Sequence, residues 1–382
     1  MVKSPKTFTY WVDIVGACNL RCPSCPRGNF GPEDADSSIP KSGLMDFELY
    51  KEIVKKIKRD GPSLNPQIHL YNWGEPLAHP EVARFVRHAL DEGIYCGISS
   101  NLNTDRTLRD VAKQGIDFFR VSLSGFYQEN YGRTHARGNI ERVKANMRKL
   151  RDYLTEFDKE TYVEVNYHVY KHNAGRDLEA MVAFCNDLRF NIGPVWAFYL
   201  PLEKNLALVN GTLPEHDRKL HDLYVIRPEE AMQLAQPYKG QDCPVRKHAT
   251  VITHDGQVPL CCNTFEQKYM IASSFLDVDH ETLQARKYSH EACGPCMENA
   301  IHVYLAYGAG PIMDEVGNQV LAEMGNPLEI HQYSKPRVIS REKGPIPILA
   351  RSESEMGLRR KIRGARAFLH QIKDMGLRAA GF

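Results

Sequence analysis

The chain opens with nothing that has the basic, apolar and small-residue order of a signal peptide. It also lacks any uninterrupted apolar run near the roughly 20 residues that crossing a bilayer requires. These absences predict a cytoplasmic protein with no membrane partner. Net charge is scarce as well: 49 Lys and Arg against 47 Asp and Glu leave +2, which gives no global pull toward nucleic acid. Cysteine is missing between residues 26 and 95 and after residue 296, yet the chain has ten. In a reducing compartment, clustered cysteines read as metal ligands rather than disulfides. What remains is ordinary for a globular fold, with 42% hydrophobic and 25% charged residues. A length of 382 residues leaves room for one barrel-sized domain and a smaller one.

Strand-like and helix-like segments alternate along the first two hundred residues or so. Apolar runs at 10–15, 67–73, 95–101, 118–124, 162–170 and 192–200 predict strands. Helical spacing at 46–58, 80–92, 104–114, 138–153 and 177–188 predicts the helices between them. Such a succession implies an α/β fold with a parallel sheet and right-handed crossovers. Alternation within strands puts Phe119, Val121 and Leu123 on one face and Arg120, Ser122 and Ser124 on the other. It likewise separates Val163, Val165 and Val169 from Glu164, Asn166 and His168. Two polar faces turned inward argue for a wet, ligand-holding interior.

Cys18, Cys22 and Cys25 follow the first strand at C-x3-C-x2-C, with no fourth ligand nearby. Three thiolates on one loop leave a coordination position open, which suits reactive rather than purely structural metal chemistry. This motif resembles that of the radical S-adenosylmethionine (radical SAM) superfamily, although Ser24 stands where that family usually has an aromatic residue. The resemblance implies a partial (βα)6 barrel with its active site at the C-terminal ends of the strands. It also implies a 4Fe-4S cluster on the three cysteines, SAM as cosubstrate, and a reducing partner such as flavodoxin or ferredoxin. Trp73-Gly74-Glu75 is similar to the family's GGE motif, with Trp73 in place of the first glycine, and is expected to bind the SAM amino group. Ser99 and Asn101 are expected near the SAM ribose, and Ser122, Ser124 and Arg137 near its carboxylate. His168, Glu164 and Tyr199 are the candidates for substrate chemistry, His168 first because an imidazole suits proton removal near neutral pH.

A second constellation comprises Cys243, Cys261, Cys293 and Cys296, with Cys262 the alternative to Cys261. Residues 249–253 and 257–261 read as a β-hairpin about His254-Asp255-Gly256. A hairpin thiolate closed by a distant C-x2-C resembles the Twitch domain, the short relative of the SPASM domain, and implies an auxiliary 4Fe-4S cluster. Cys96 and Cys185 sit in apolar contexts and read as core. The expected organisation is a radical SAM barrel over 1–235, an auxiliary-cluster domain over 236–310 and a C-terminal helical extension over 311–382, with a basic helix at 351–378. The expected reaction is cleavage of SAM to a 5'-deoxyadenosyl radical, which takes hydrogen from a small polar, carbohydrate-like substrate. The cysteine loop begins at position 18, leaving no space before it for a leader-binding domain, which tilts the expectation away from peptides. Peptide modification with recognition supplied by another chain stays open, as does a non-enzymatic protein with zinc in both cysteine sites.

Overall fold

The computed structural model describes residues 7–30, 39–306 and 309–330. The basic stretch at 351–378 lies outside the described residues. Seven parallel strands form one sheet: β1 (Phe8–Val12), β2 (Pro66–His69), β3 (Tyr95–Ser100), β4 (Phe118–Leu123), β5 (Tyr162–Val169), β6 (Asn191–Trp196) and β7 (Ala249–Ile252). Their order is β6-β5-β4-β3-β2-β1-β7. Helices between successive strands carry the chain back, so the C-terminal ends of the strands share one rim.

The alternation expected from sequence is the one observed. Phe119, Val121, Leu123, Val163, Val165 and Val169 are fully buried in the main apolar core. Arg120 lies opposite Glu164 in the β4–β5 register, and Ser122 opposite Asn166. The helix Phe47–Asp60 starts where Asp46 accepts the backbone N–H groups of Glu48 and Leu49, a cap that stabilises a helix by about 1 kcal/mol.

Two features depart from the expectation. The sixth strand stops at Trp196, four residues short of the end at 200 expected from sequence. The other is β7, expected as one arm of a hairpin. Its turn is present, with Thr253 N–H donating to Gln257 O at 2.9 Å, but β7 itself pairs in parallel with β1. All four of its residues are buried, which suits a place inside a large sheet better than one in a small solvated hairpin. The following strand, β8 (Val258–Pro259), pairs instead with β9 (Met270–Ala272). Pairing β7 with β1 delivers residues 253–266, with Cys261, to the rim beside the loop bearing Cys18. Among the described residues no helix is long and apolar enough to cross a membrane.

Candidate active site and cysteine cavity

The loop after β1 is bound to the rim by its backbone. Glu75 N–H donates to Ala17 O at 2.9 Å, and Arg21 N–H to Ala136 O at 3.1 Å. Cys25 N–H donates to Cys22 O at 3.0 Å, closing the turn between two of the cysteines. Burial pushes the Cys18 thiol up to about 12 and Cys25 up to about 11 and raises Cys22 well above its ordinary value, with Glu75 adding to the rise at Cys18 and neighbouring thiols to that at Cys22. Such thiols stay neutral alone and give up their protons to a metal. The Asn101 side-chain amide lies 3.6 Å from Cys18 Sγ and donates to Asn19 Oδ1 at 2.8 Å, so Asn101 stands at the cysteine loop.

The turn after β2 is fixed by Asp13, which sequence reasoning passed over. Its carboxylate accepts from Trp73 N–H at 2.9 Å and Gly74 N–H at 3.2 Å. A buried acid closing an apolar strand was the available signal. Gly74 is required by contact: a Cβ there would lie 1.7 Å from Val15 O. Glu75 is buried and fully engaged, accepting from Leu77 N–H, Ser100 Oγ–H and Asn101 N–H. Burial pushes its carboxyl up to about 7 against those three donors.

The other residues singled out in the sequence take varied positions. The Trp73 indole points to the distal segment, donating to Thr264 O at 2.9 Å and meeting the Phe265 ring edge-on at 6.3 Å. Ser124 is fully buried, its hydroxyl taken by Thr134 and His135, whereas Ser99 and Ser122 are half-buried. Arg137 is exposed and has φ +73°. Tyr199 lies beyond the end of β6 and is fully buried, 4.8 Å from the His221 ring.

Glu164 and His168 do share the inner face of β5. Glu164 is buried beside Arg120 and accepts from Tyr162 OH at 3.1 Å. Burial, with help from Arg120, pushes His168 down to about 4, so its ring is neutral at pH 7. Its Nε2 lies 3.0 Å from Asn166 Nδ2. Also missed was Tyr170, whose hydroxyl lies 3.0 Å from Ser24 Oγ in the cysteine loop.

The second set converges on one cavity of about 490 Å³, mouth included, lined in part by Cys243, Cys261, Cys293 and Cys296. Cys262 is not in that lining; it packs with Trp11, Tyr71 and Val251. Burial raises all four lining thiols. Among the described residues no three Cys, His, Asp or Glu side chains meet closely enough to grip a single metal ion. Thiols gathered around one space but set apart suit a polynuclear group with a thiolate at each corner. Cys96 and Cys185 are fully buried in the core, as expected.

Residues 12–185 match the family model described as Radical SAM superfamily. The chain carries a radical SAM domain. The first cysteine loop lies within the matched residues and fits a 4Fe-4S cluster in ligand type and number. Over 115 residues the chain is 31% identical to the tungsten-containing aldehyde ferredoxin oxidoreductase cofactor-modifying protein of Pyrococcus furiosus, covering 30% of each chain. Over 140 residues it is 26% identical to the PqqA peptide cyclase of Bradyrhizobium diazoefficiens, covering 36% of this chain and 34% of that one. The matches thus span about a third of the length of these curated relatives. Among solved structures it is similar to anSMEcpe with bound AdoMet, at 14% identity and TM-score 0.48 over 84% of this chain and 100% of that one. A second is BtrN in complex with AdoMet and 2-DOIA, at 16% identity and TM-score 0.42 over 77% and 88%.

Proposed function

We propose that this enzyme couples SAM cleavage at Cys18, Cys22 and Cys25 to oxidative modification of a polar substrate, aided by an auxiliary iron–sulfur cluster on Cys243, Cys261, Cys293 and Cys296. The observation that carries the reading is the single cavity lined by four cysteines that are distant in sequence. When bound, the first cluster supplies the electron that cleaves SAM, and an auxiliary cluster would accept one from the substrate. An external carrier such as flavodoxin or ferredoxin would reduce the first cluster and, in its oxidised form, take up the electron that leaves the substrate through the auxiliary cluster.

The chain's own residues have distinct tasks in this reading. Asn101 orients the Cys18 sulfur, and Asp13 holds the turn at 72–74 in place. Because the Glu75 carboxylate is consumed by three donors, the backbone of the 73–75 turn is the part left to meet the SAM ammonium. Ser99, Ser122 and Arg137 are the candidates for its ribose and carboxylate. His168 is neutral and its ring is hydrogen-bonded to the Leu123 backbone, which leaves Nε2 to take the substrate's proton once Asn166 turns aside. Arg120, Glu164 and Asn166 on the same inner faces support a substrate rich in hydroxyl or other polar groups, carbohydrate-like small molecules included.

A peptide substrate is the second reading, supported by the partial likeness to a protein named PqqA peptide cyclase. Anaerobic reconstitution with iron and sulfide, followed by mass spectrometry of 5'-deoxyadenosine, tests both. Release stimulated by polyols or amino sugars favours the first reading, and release stimulated by peptides encoded beside the gene favours the second. Absence of SAM cleavage with dithionite would overturn both.

A further inference from the structure

Among the described residues, one buried lysine adjoins the four-cysteine cavity and has no carboxylate within ion-pair distance. Lys287, on the helix His280–Ser289, is 1% exposed. Its Nζ donates to Ala249 O at 2.6 Å and Thr250 Oγ1 at 3.0 Å, both uncharged acceptors. Among the described residues it forms no ion pair. Burial pulls its ammonium down to about 8, and ionisation of the thiols of Cys261, Cys243, Cys262 and Cys293 would act against that pull. The same residue also touches the cavity through its backbone, where Cys293 Sγ–H donates to Lys287 O at 3.4 Å.

Arg246, the other cation at this cavity, is a useful contrast. Its guanidinium has Asp242 at 2.7 Å and lies over the Tyr288 ring at 4.1 Å, so its charge is already matched. Burying an ammonium against neutral partners alone costs more than two hydrogen bonds return, and such charges persist where an anion faces them. Four protonated thiols supply no anion. Four thiolates holding an iron–sulfur group do, because the assembly carries net negative charge that grows on reduction.

We propose that Lys287 is the counter-charge of an anionic, thiolate-held group in the cavity of Cys243, Cys261, Cys293 and Cys296, and that it raises the reduction potential of that group. The proposal rests on the reading of this cavity as an auxiliary iron–sulfur site. It assigns Lys287 a role through charge, distinct from ligation and from packing.

The test uses the full-length chain with Cys18, Cys22 and Cys25 changed to Ala, reconstituted anaerobically, so that only the second site contributes iron. Iron and sulfide are counted, and the midpoint potential is read by titration followed by electron paramagnetic resonance. Lys287→Met is expected to keep its iron but lose at least tenfold in the reduced-to-oxidised ratio at a fixed potential, about 59 mV for one electron. Lys287→Arg is expected to restore the midpoint. Loss of iron from Lys287→Met alone, with Lys287→Arg loaded, also supports a requirement for charge. An unchanged midpoint at full iron content, or equal loss of iron from both variants, would overturn the role of Lys287 and leave the cavity reading standing. No iron in the protein that retains Lys287 would overturn the cavity reading and the proposal together.

Discussion

The indole N–H of Trp73 donates to the carbonyl oxygen of Thr264 at 2.9 Å, binding the turn after β2 to the segment that carries Cys261. The two cysteine sites are therefore joined by a direct side-chain contact as well as by the β1–β7 pairing. Trp73→Phe keeps a ring against Phe265 but deletes the donor. The expected loss is about 1 kcal/mol of stability, read as a lowered urea midpoint, with iron content unchanged. A midpoint equal to that of the parent protein would show that this bond does not hold the two segments together.

Gly74 offers a sharper test of the rim. A methyl group there meets Val15 O, which is backbone and has no rotamer to change. Gly74→Ala should cost about 1–3 kcal/mol and displace the turn from Asp13. SAM binding, measured by equilibrium dialysis, should weaken in parallel with stability. Retention of full affinity would mean that this turn is not part of the SAM site.

Neighbouring cysteines in one dipeptide should behave oppositely. Cys261 lines the cavity and Cys262 faces Trp11, Tyr71 and Val251. Cys261→Ala should lower iron and sulfide in the reconstituted protein, whereas Cys262→Ala should leave them intact and cost only packing stability. The reverse pattern of iron counts would exchange their assignments.

Stability should depend on pH through Glu203. Its Oε1 accepts from Phe265 N–H at 2.6 Å and Glu266 N–H at 2.9 Å, while burial pushes the carboxyl from 4.5 up to about 7. A carboxyl whose value is higher folded than unfolded binds extra protons on folding. Its stabilising contribution is therefore full below about 4.5 and is lost as pH rises to about 7. The change amounts to about 3 kcal/mol. Glu203→Gln should flatten that slope and be more stable than the parent at pH 8, as measured by urea unfolding at pH 4 and pH 8. Parallel pH profiles for the two proteins would refute the assignment.

Strand alternation was legible because inner and outer faces differ so clearly in chemistry: Arg120 and Glu164 against Phe119 and Val163. The cysteine spacing was equally legible, since a thiolate loop needs only local sequence. Contacts between loops were not. Nothing in Trp73 names Thr264 as its partner, because that bond depends on where β7 docks. The sixth strand was read as running to Leu200 because Ala197, Phe198 and Tyr199 prolong its apolar run after the strand has ended at Trp196. Asp13 was readable only as a charge closing an apolar strand, a signal that marks burial without naming the group that faces it, and Lys287, between Arg286 and Tyr288, carried no such signal.

The pairing of β7 with β1 also bears on how the chain assembles. The strand that precedes the first cysteine loop has one neighbour, β2, until residues 249–252 arrive to cover its other side. During synthesis the earliest strand is thus the last to be enclosed, and its bare edge can recruit other strands in the meantime. The thiol loop it carries lies beside that open edge until residues 249–252 have been made and have paired.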